Sequence, residues 1–421
     1  MKLTWHRFIL MGILILAAGL YTYGLDWGIR SLNHLSHPIA FAQSGFHPDS
    51  DLLERATASL NHSPFPSIER DGKTYLFSSY GPTFMYLFWG SAHVAGLLFD
   101  FKPFVTETLR DQNLTRLTGR IVSALAALCT VWLTYWIGVR HFGITTGLLS
   151  AFFLAQMPLA IQAAHIATVD GIMSLWTAWI CLQALQILHR GRSSDYLLAG
   201  IAIGIATATK MNGLLLATAP GIAHLLRYIL PAQISTWFSD LVKALKDRRI
   251  WMTLAGSLGA YLILTPAALF RFQDYFFTEF SGNLFHDIWV NLQADEAFST
   301  FIQRGSLYLE NAPAYLYHIT HVFPTGLGWP LQITAGLGGG FLLFQRRPES
   351  FILVGTALIY FLIIGSFYDK PIRYVVLLAP LIALMAAHLL VQGIQHTKKI
   401  IRILTITGLV FVCAYTTLYA S

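Results

Sequence analysis

Charge is what this chain has least of. Only 12% of its 421 residues are Asp, Glu, Lys or Arg, against 55% hydrophobic. A soluble domain of that length needs far more polar surface to face water, so the composition points to a polytopic membrane protein. A mean hydropathy of +0.56 agrees. Cysteine is scarce too. Cys129, Cys181 and Cys413 all sit in apolar stretches, with no disulfide or zinc spacing, and read as packing residues. There is no Gly-x-x-x-x-Gly-Lys phosphate loop, internal repeat, low-complexity tract or polar segment of domain size. No small-residue cleavage site closes the apolar run 8–24 after MKLTWHR, so that run is expected to be an uncleaved first span.

The positive charges are present but confined. The formal net charge is +7, and the bases gather in short connectors: His189 to Arg192, Lys243 to Arg249, Arg346-Arg347 and Lys398-Lys399. This is the pattern of cytoplasmic loops and not of a nucleic-acid surface. Apolar runs near 8–27, 118–138, 143–163, 172–189, 195–209, 211–229, 251–270, 322–344, 351–367, 374–393 and 400–420 predict about eleven transmembrane helices in one all-α domain, 1–421. Alternation from a cytoplasmic amino terminus puts the basic connectors inside. Segment 80–100 is apolar enough to span, but counting it would invert every later loop. It is therefore expected to be re-entrant or interfacial within a long first outer loop, 28–117. A second large outer loop covers 271–321; its His286, His318 and His321 lack metal spacing.

The remaining polar residues gather on the outer side. Asp49 and Asp51 follow the first span in Phe46-His47-Pro48-Asp49-Ser50-Asp51. Asp170 stands between two spans in His165-Ile-Ala-Thr-Val-Asp170, Lys210 between two more in Thr-Lys210-Met-Asn212-Gly213, and Arg120 and Arg373 at the starts of two others. Ionisable residues at bilayer boundaries are costly unless solvated or functional. Carboxylates there can act as a general base, and Lys or Arg can hold and stabilise a phosphate leaving group. The bland readings are loop solvation for the acids, snorkelling for Arg120 and Lys210, a structural Asp369 pair for Arg373, and helix-end packing for His165.

The order of these motifs resembles the GT-C superfamily of integral-membrane glycosyltransferases. It is nearest the phospholipid-carrier-dependent branch of protein O-mannosyltransferases and lipid A aminoarabinose transferases. The resemblance runs through His47-Pro48-Asp49, Tyr80-Gly81-Pro82, Arg120-Ile-Val-Ser, Tyr135 to Arg140, His165 to Asp170, Ala199 to Lys210, Thr265-Pro266 and Arg373 to Pro380. It implies a GT-C-type bundle in which Asp49 is the catalytic base and Asp170 the second acid. Lys210 and Arg373, with Arg120, would bind the lipid phosphate. His47, His165 and Tyr80 become candidate substrate contacts. The family commonly has Glu where Ser50 stands, and Asp51 is the candidate stand-in.

The implied reaction moves a sugar from a polyprenyl-phosphate carrier to a lipid, glycan or protein acceptor on the outer face, inverting the anomeric centre. No obligatory cofactor is expected, with a divalent metal left as the alternative. The short chain and bare loops suggest a bacterial inner membrane. Three other readings stay open: a polymerase or ligase using pyrophosphate-linked glycans, a transporter or flippase of lipid-linked sugars, and a non-catalytic assembly factor.

Overall fold

The computed structural model describes residues 5–27, 29, 48–70, 72–105, 108–229, 237–277, 315–366 and 371–420. His47 lies outside them, as do Asp369 and most of the second expected outer loop.

The first helix, α1 (Trp5–Thr22), is followed by α2 (Pro48–Ala58) and a hairpin of β1 (Ser67–Arg70) and β2 (Lys73–Leu76). The hairpin is not among the elements that the hydropathy pattern predicts. It turns at Gly72, whose φ of +72° suits a residue without a Cβ. Segment 80–100 forms α3 (Thr83–Phe99), which packs on α2 and on the long α4 (Leu109–Phe142). Helix α4 begins nine residues before the expected span, capped by the Thr108 hydroxyl, which accepts from the Asp111 amide.

Next come α5 (Ile144–Gln156) and α6 (Pro158–His165), bent by 57° where Pro158 cannot continue the helix. Helix α7 (Val169–His189) lies at the centre, most of its apolar residues buried, with Trp179 exposed. Helix α8 (Ser193–Thr207) packs on α11 (Arg248–Leu264). Gly200 and Gly204 form the contact, each with space for a backbone and none for a side chain. Between these two lie a 3-10 turn (Met211–Ala217), α9 (Thr218–Ile229) and α10 (Trp237–Lys246). After the short α12 (Ala267–Phe270) and α13 (Phe272–Phe276) come α14 (Phe323–Leu327), α15 (Trp329–Phe344) and α16 (Pro348–Ile364). A second 3-10 turn (Ile372–Leu378) leads into α17 (Ala379–Ile394), and α18 (Lys399–Ala420) follows.

All eleven apolar runs are thus helical, some as broken pairs. Among the described residues five helices are long and apolar enough to cross a membrane, or seven if each bent pair is one span. Helices α3, α8 and α16 are apolar but shorter.

Candidate functional site

Tyr80-Gly81-Pro82 is the piece that assembles the site. The Gly81 amide donates to the Thr209 carbonyl, and the Thr83 amide and hydroxyl both donate to the Ala208 carbonyl. A Cβ on Gly81 would collide with that same carbonyl. Glycine therefore lets the start of α3 lie against the end of α8, and so carries the Tyr80 ring to Lys210.

Two charge pairs meet there. Lys210 Nζ is 2.8 Å from Asp170 Oδ1, with side chains 11% and 4% exposed. Arg373 Nη1 is 2.9 Å from Asp49 Oδ2, and the Tyr80 hydroxyl donates to the same oxygen at 2.8 Å. Aromatic faces join the pairs. Lys210 Nζ stands 4.7 Å from the Tyr374 ring centre and 5.5 Å from that of Tyr80, while the Arg373 guanidinium lies 5.8 Å from Tyr374. Burial pushes the Tyr80 phenol well above its ordinary value. The Asp49 and Asp170 carboxylates act the same way, so Tyr80 stays a hydrogen-bond donor.

The frame behind the pairs is hydrogen-bonded between helices. Ser174 on α7 donates to the Val376 carbonyl, fixing Asp170, one turn earlier, beside the Arg373 segment. Asn212 Nδ2 donates to the fully buried Tyr360 hydroxyl, which donates on to the Tyr374 carbonyl. Asn212 Oδ1 is buried with no partner among the described residues. A cavity of about 80 Å³ opens between Gln162, Thr168, Asp170 and Arg373 against apolar Leu159 and Ile166.

Asp49, Asp170, Lys210, Arg373 and Tyr80 are therefore brought together. The other expected site residues among those described are placed elsewhere. Asp51 faces Arg55 and Arg116 at 3.4 and 3.5 Å, and Arg116 also holds Glu54 at 2.9 Å. Burial raises the Glu54 carboxyl above its ordinary value, with Arg116 opposing. Arg120 donates to the carbonyls of Leu25 and Trp27, closing the end of α1 onto α4. The two His165 ring nitrogens sit 2.8 and 2.9 Å from the carbonyls of Ile161 and Tyr23, so this residue splints helix ends. Sequence reasoning missed Tyr374, Asn212 and Tyr360. The first two flank Arg373 and Lys210 closely enough to have been flagged; Tyr360 carries no such signal.

A family model for dolichyl-phosphate-mannose-protein mannosyltransferase matches residues 108–245. No curated protein sequence matches the chain. Among solved structures, the Archaeoglobus fulgidus oligosaccharyltransferase in its apo form superposes with a TM-score of 0.64 at 14% identity, over 100% of this chain and 56% of that one. ArnT from Cupriavidus metallidurans bound to undecaprenyl phosphate gives 0.61 at 16% identity, over 98% of this chain and 64% of that one. The chain thus spans less than two thirds of the length of either. Helix order, apolar spans and these superpositions together show that the chain shares the GT-C-type polytopic helical membrane fold of these two proteins.

Proposed function

We propose that this protein transfers a sugar from a polyprenyl-phosphate carrier to an acceptor lipid, glycan or protein on the outer face of a bacterial inner membrane. The convergence of Asp49, Asp170, Lys210 and Arg373 from four distant segments is the observation that carries this reading. Buried ion pairs are expensive to assemble and are weak devices for stability, so the buried Lys210–Asp170 pair, with the half-buried Arg373–Asp49 pair beside it, argues for use. The sidedness rests on the opposite end of the bundle. Arg140, Arg190, Arg227 and Arg249 stand there, about 28 Å from Asp170 along α7 at 1.5 Å per residue, as cytoplasmic ends require.

In this reading the donor phosphate is bound by Lys210 and Arg373 in competition with their carboxylate partners. A phosphate on Arg373 releases Asp49, which Tyr80 continues to orient. Asp49 takes the proton from the acceptor as its nucleophilic atom attacks the anomeric carbon. The bond from that carbon to the phosphate oxygen breaks on the opposite side, and the two cations stabilise the departing polyprenyl phosphate. Asp170 keeps Lys210 in place, and the sugar's configuration inverts. No step requires a resident cofactor.

The test is transfer in proteoliposomes loaded with a labelled polyprenyl-phosphate sugar. Asp49→Asn should slow transfer by about 10²-fold or more, the usual share of a general base. Equal transfer by the wild type, Asp49→Asn and Asp170→Asn overturns the assignment. Sugar that crosses the bilayer still attached to its lipid would mark a flippase instead, and exclusive use of a pyrophosphate-linked donor would change the donor class.

A further inference from the structure

A second polar cluster lies at the far end of the bundle. His141 is in the last turn of α4, His189 ends α7, and Glu349 is in the first turn of α16. Three helices distant in sequence thus bring three metal-ligating side chains together. One ligand atom from each can be chosen so that all lie within 4.8 Å of one another, and His189 Nε2 is 3.1 Å from Glu349 Oε1. That last spacing is close to the roughly 3.4 Å between tetrahedral ligands on a metal about 2.1 Å from each. The imidazoles of His141 and His189 are nearly parallel, 17° apart with centres 5.2 Å from one another.

His141 Nε2 is buried and has no hydrogen-bond partner among the described residues. A buried ring nitrogen left this way is costly and calls for an occupant. The cluster also borders a cavity of about 370 Å³, lined besides by Arg140, Gln186 and Arg190, so an ion and its remaining water ligands have room and a path.

The donor set and the surrounding charge narrow the ion. Arg140 and Arg190 are exposed and form no ion pair among the described residues, so the local field repels any cation held by charge alone. Mg²⁺ and Ca²⁺ need several oxygen ligands, and the cluster offers one carboxylate. Two imidazoles and a carboxylate instead suit a borderline ion that gains energy from nitrogen donation. We propose that His141, His189 and Glu349 bind one divalent transition-metal ion of the Zn²⁺ class, with water completing its coordination. The site lies at the other end of α7 from Asp170 and takes no part in the proposed transfer, so the two readings stand or fall separately.

The experiment uses full-length protein in detergent, its affinity tag removed, stripped with chelator and reloaded with Zn²⁺ or Co²⁺. One equivalent per chain should survive desalting by elemental analysis, and Co²⁺ should give visible absorption typical of nitrogen and oxygen ligands. His141→Ala, His189→Ala and Glu349→Gln should each weaken binding at least about 10-fold, since even outer partners of ligands contribute that much. Asp49→Asn and Asp170→Asn should leave it unchanged. Retention that survives all three cluster variants, or is lost in the two aspartate variants, overturns the proposal. If a cluster variant does not fold, the wild-type cobalt spectrum decides, because its absence rejects the site. An anionic lipid that copurifies through Arg140 and Arg190 without metal would also overturn it, as would a plain His189–Glu349 bond that excludes the ion.

Discussion

At one end of the bundle Lys210 and Arg373 meet carboxylates from distant segments; at the other Arg227 and Arg249 meet backbone carbonyls, and Arg249 and Lys243 meet carboxylates two or three residues away. Around Tyr80, Lys210 pairs with Asp170 and Arg373 with Asp49, partners drawn from separate helices and loops. At the far end Arg227 donates to the carbonyls of Ile187 and Leu188, and Arg249 to that of Gly191, where the last carbonyls of α7 run out of internal donors. Arg249 also pairs with Asp247, its near neighbour on the same turn. The far-end contacts are what any basic loop makes when it finishes a helix. The near-end contacts need four segments to arrive at once.

Breaking one partner of a near-end pair should therefore cost far more than breaking a far-end arginine. Lys210→Met leaves the Asp170 carboxylate buried and alone, and should destabilise the folded protein by about 3–5 kcal/mol, read from thermal unfolding in detergent. Adding Asp170→Asn should recover much of that loss, and a lack of recovery would show that Lys210 acts through other contacts.

Gly81→Val should rank next. Its side chain would push α3 off the Ala208 carbonyl and carry Tyr80 away from Asp49. Transfer should fall by about 10²-fold, as misplacement of about 1 Å commonly does, while the helical circular dichroism is kept. Tyr80→Phe removes one hydrogen bond to Asp49 and should slow transfer by roughly 10-fold, equivalent to about 1.4 kcal/mol. Because burial keeps the phenol protonated, that deficit should be the same from about pH 6 to 9. A deficit that appears only at high pH would show that Tyr80 ionises.

Ser174→Ala should cost about 1 kcal/mol of stability, having lost only its bond to the Val376 carbonyl. Arg140→Gln, at the far end and exposed, should stay within about 0.5 kcal/mol of the wild type. A larger cost there than for Ser174→Ala would erase the contrast between the two ends.

Asp49, Asp170, Lys210 and Arg373 are legible in the amino-acid sequence because a charge at the edge of an apolar run is conspicuous in a chain this poor in charge. His165 and Arg120 are equally conspicuous, yet both serve backbone carbonyls. Sequence position marks that a polar group sits at a helix end but not whether its partner is a side chain or the main chain. The β1–β2 hairpin is illegible because four-residue strands give too little alternation to register, although Asp71-Gly72 is a hairpin dipeptide. Tyr360 looks like any aromatic in an apolar helix, since its role depends on Asn212 and Tyr374 arriving from elsewhere.

The sequence by itself determined that the chain is a membrane protein, which runs are helical, where the basic connectors fall and which acids and cations stand at helix ends. These are local or additive properties, set by apolar content over about 20 residues. Only the tertiary structure decided that Asp49 takes Arg373, that Asp170 takes Lys210, that Asp51 turns away to Arg116, and that His141, His189 and Glu349 meet. Pairing depends on how helices cross and how closely their backbones approach. At Gly81 that approach rests on the absence of one carbon atom.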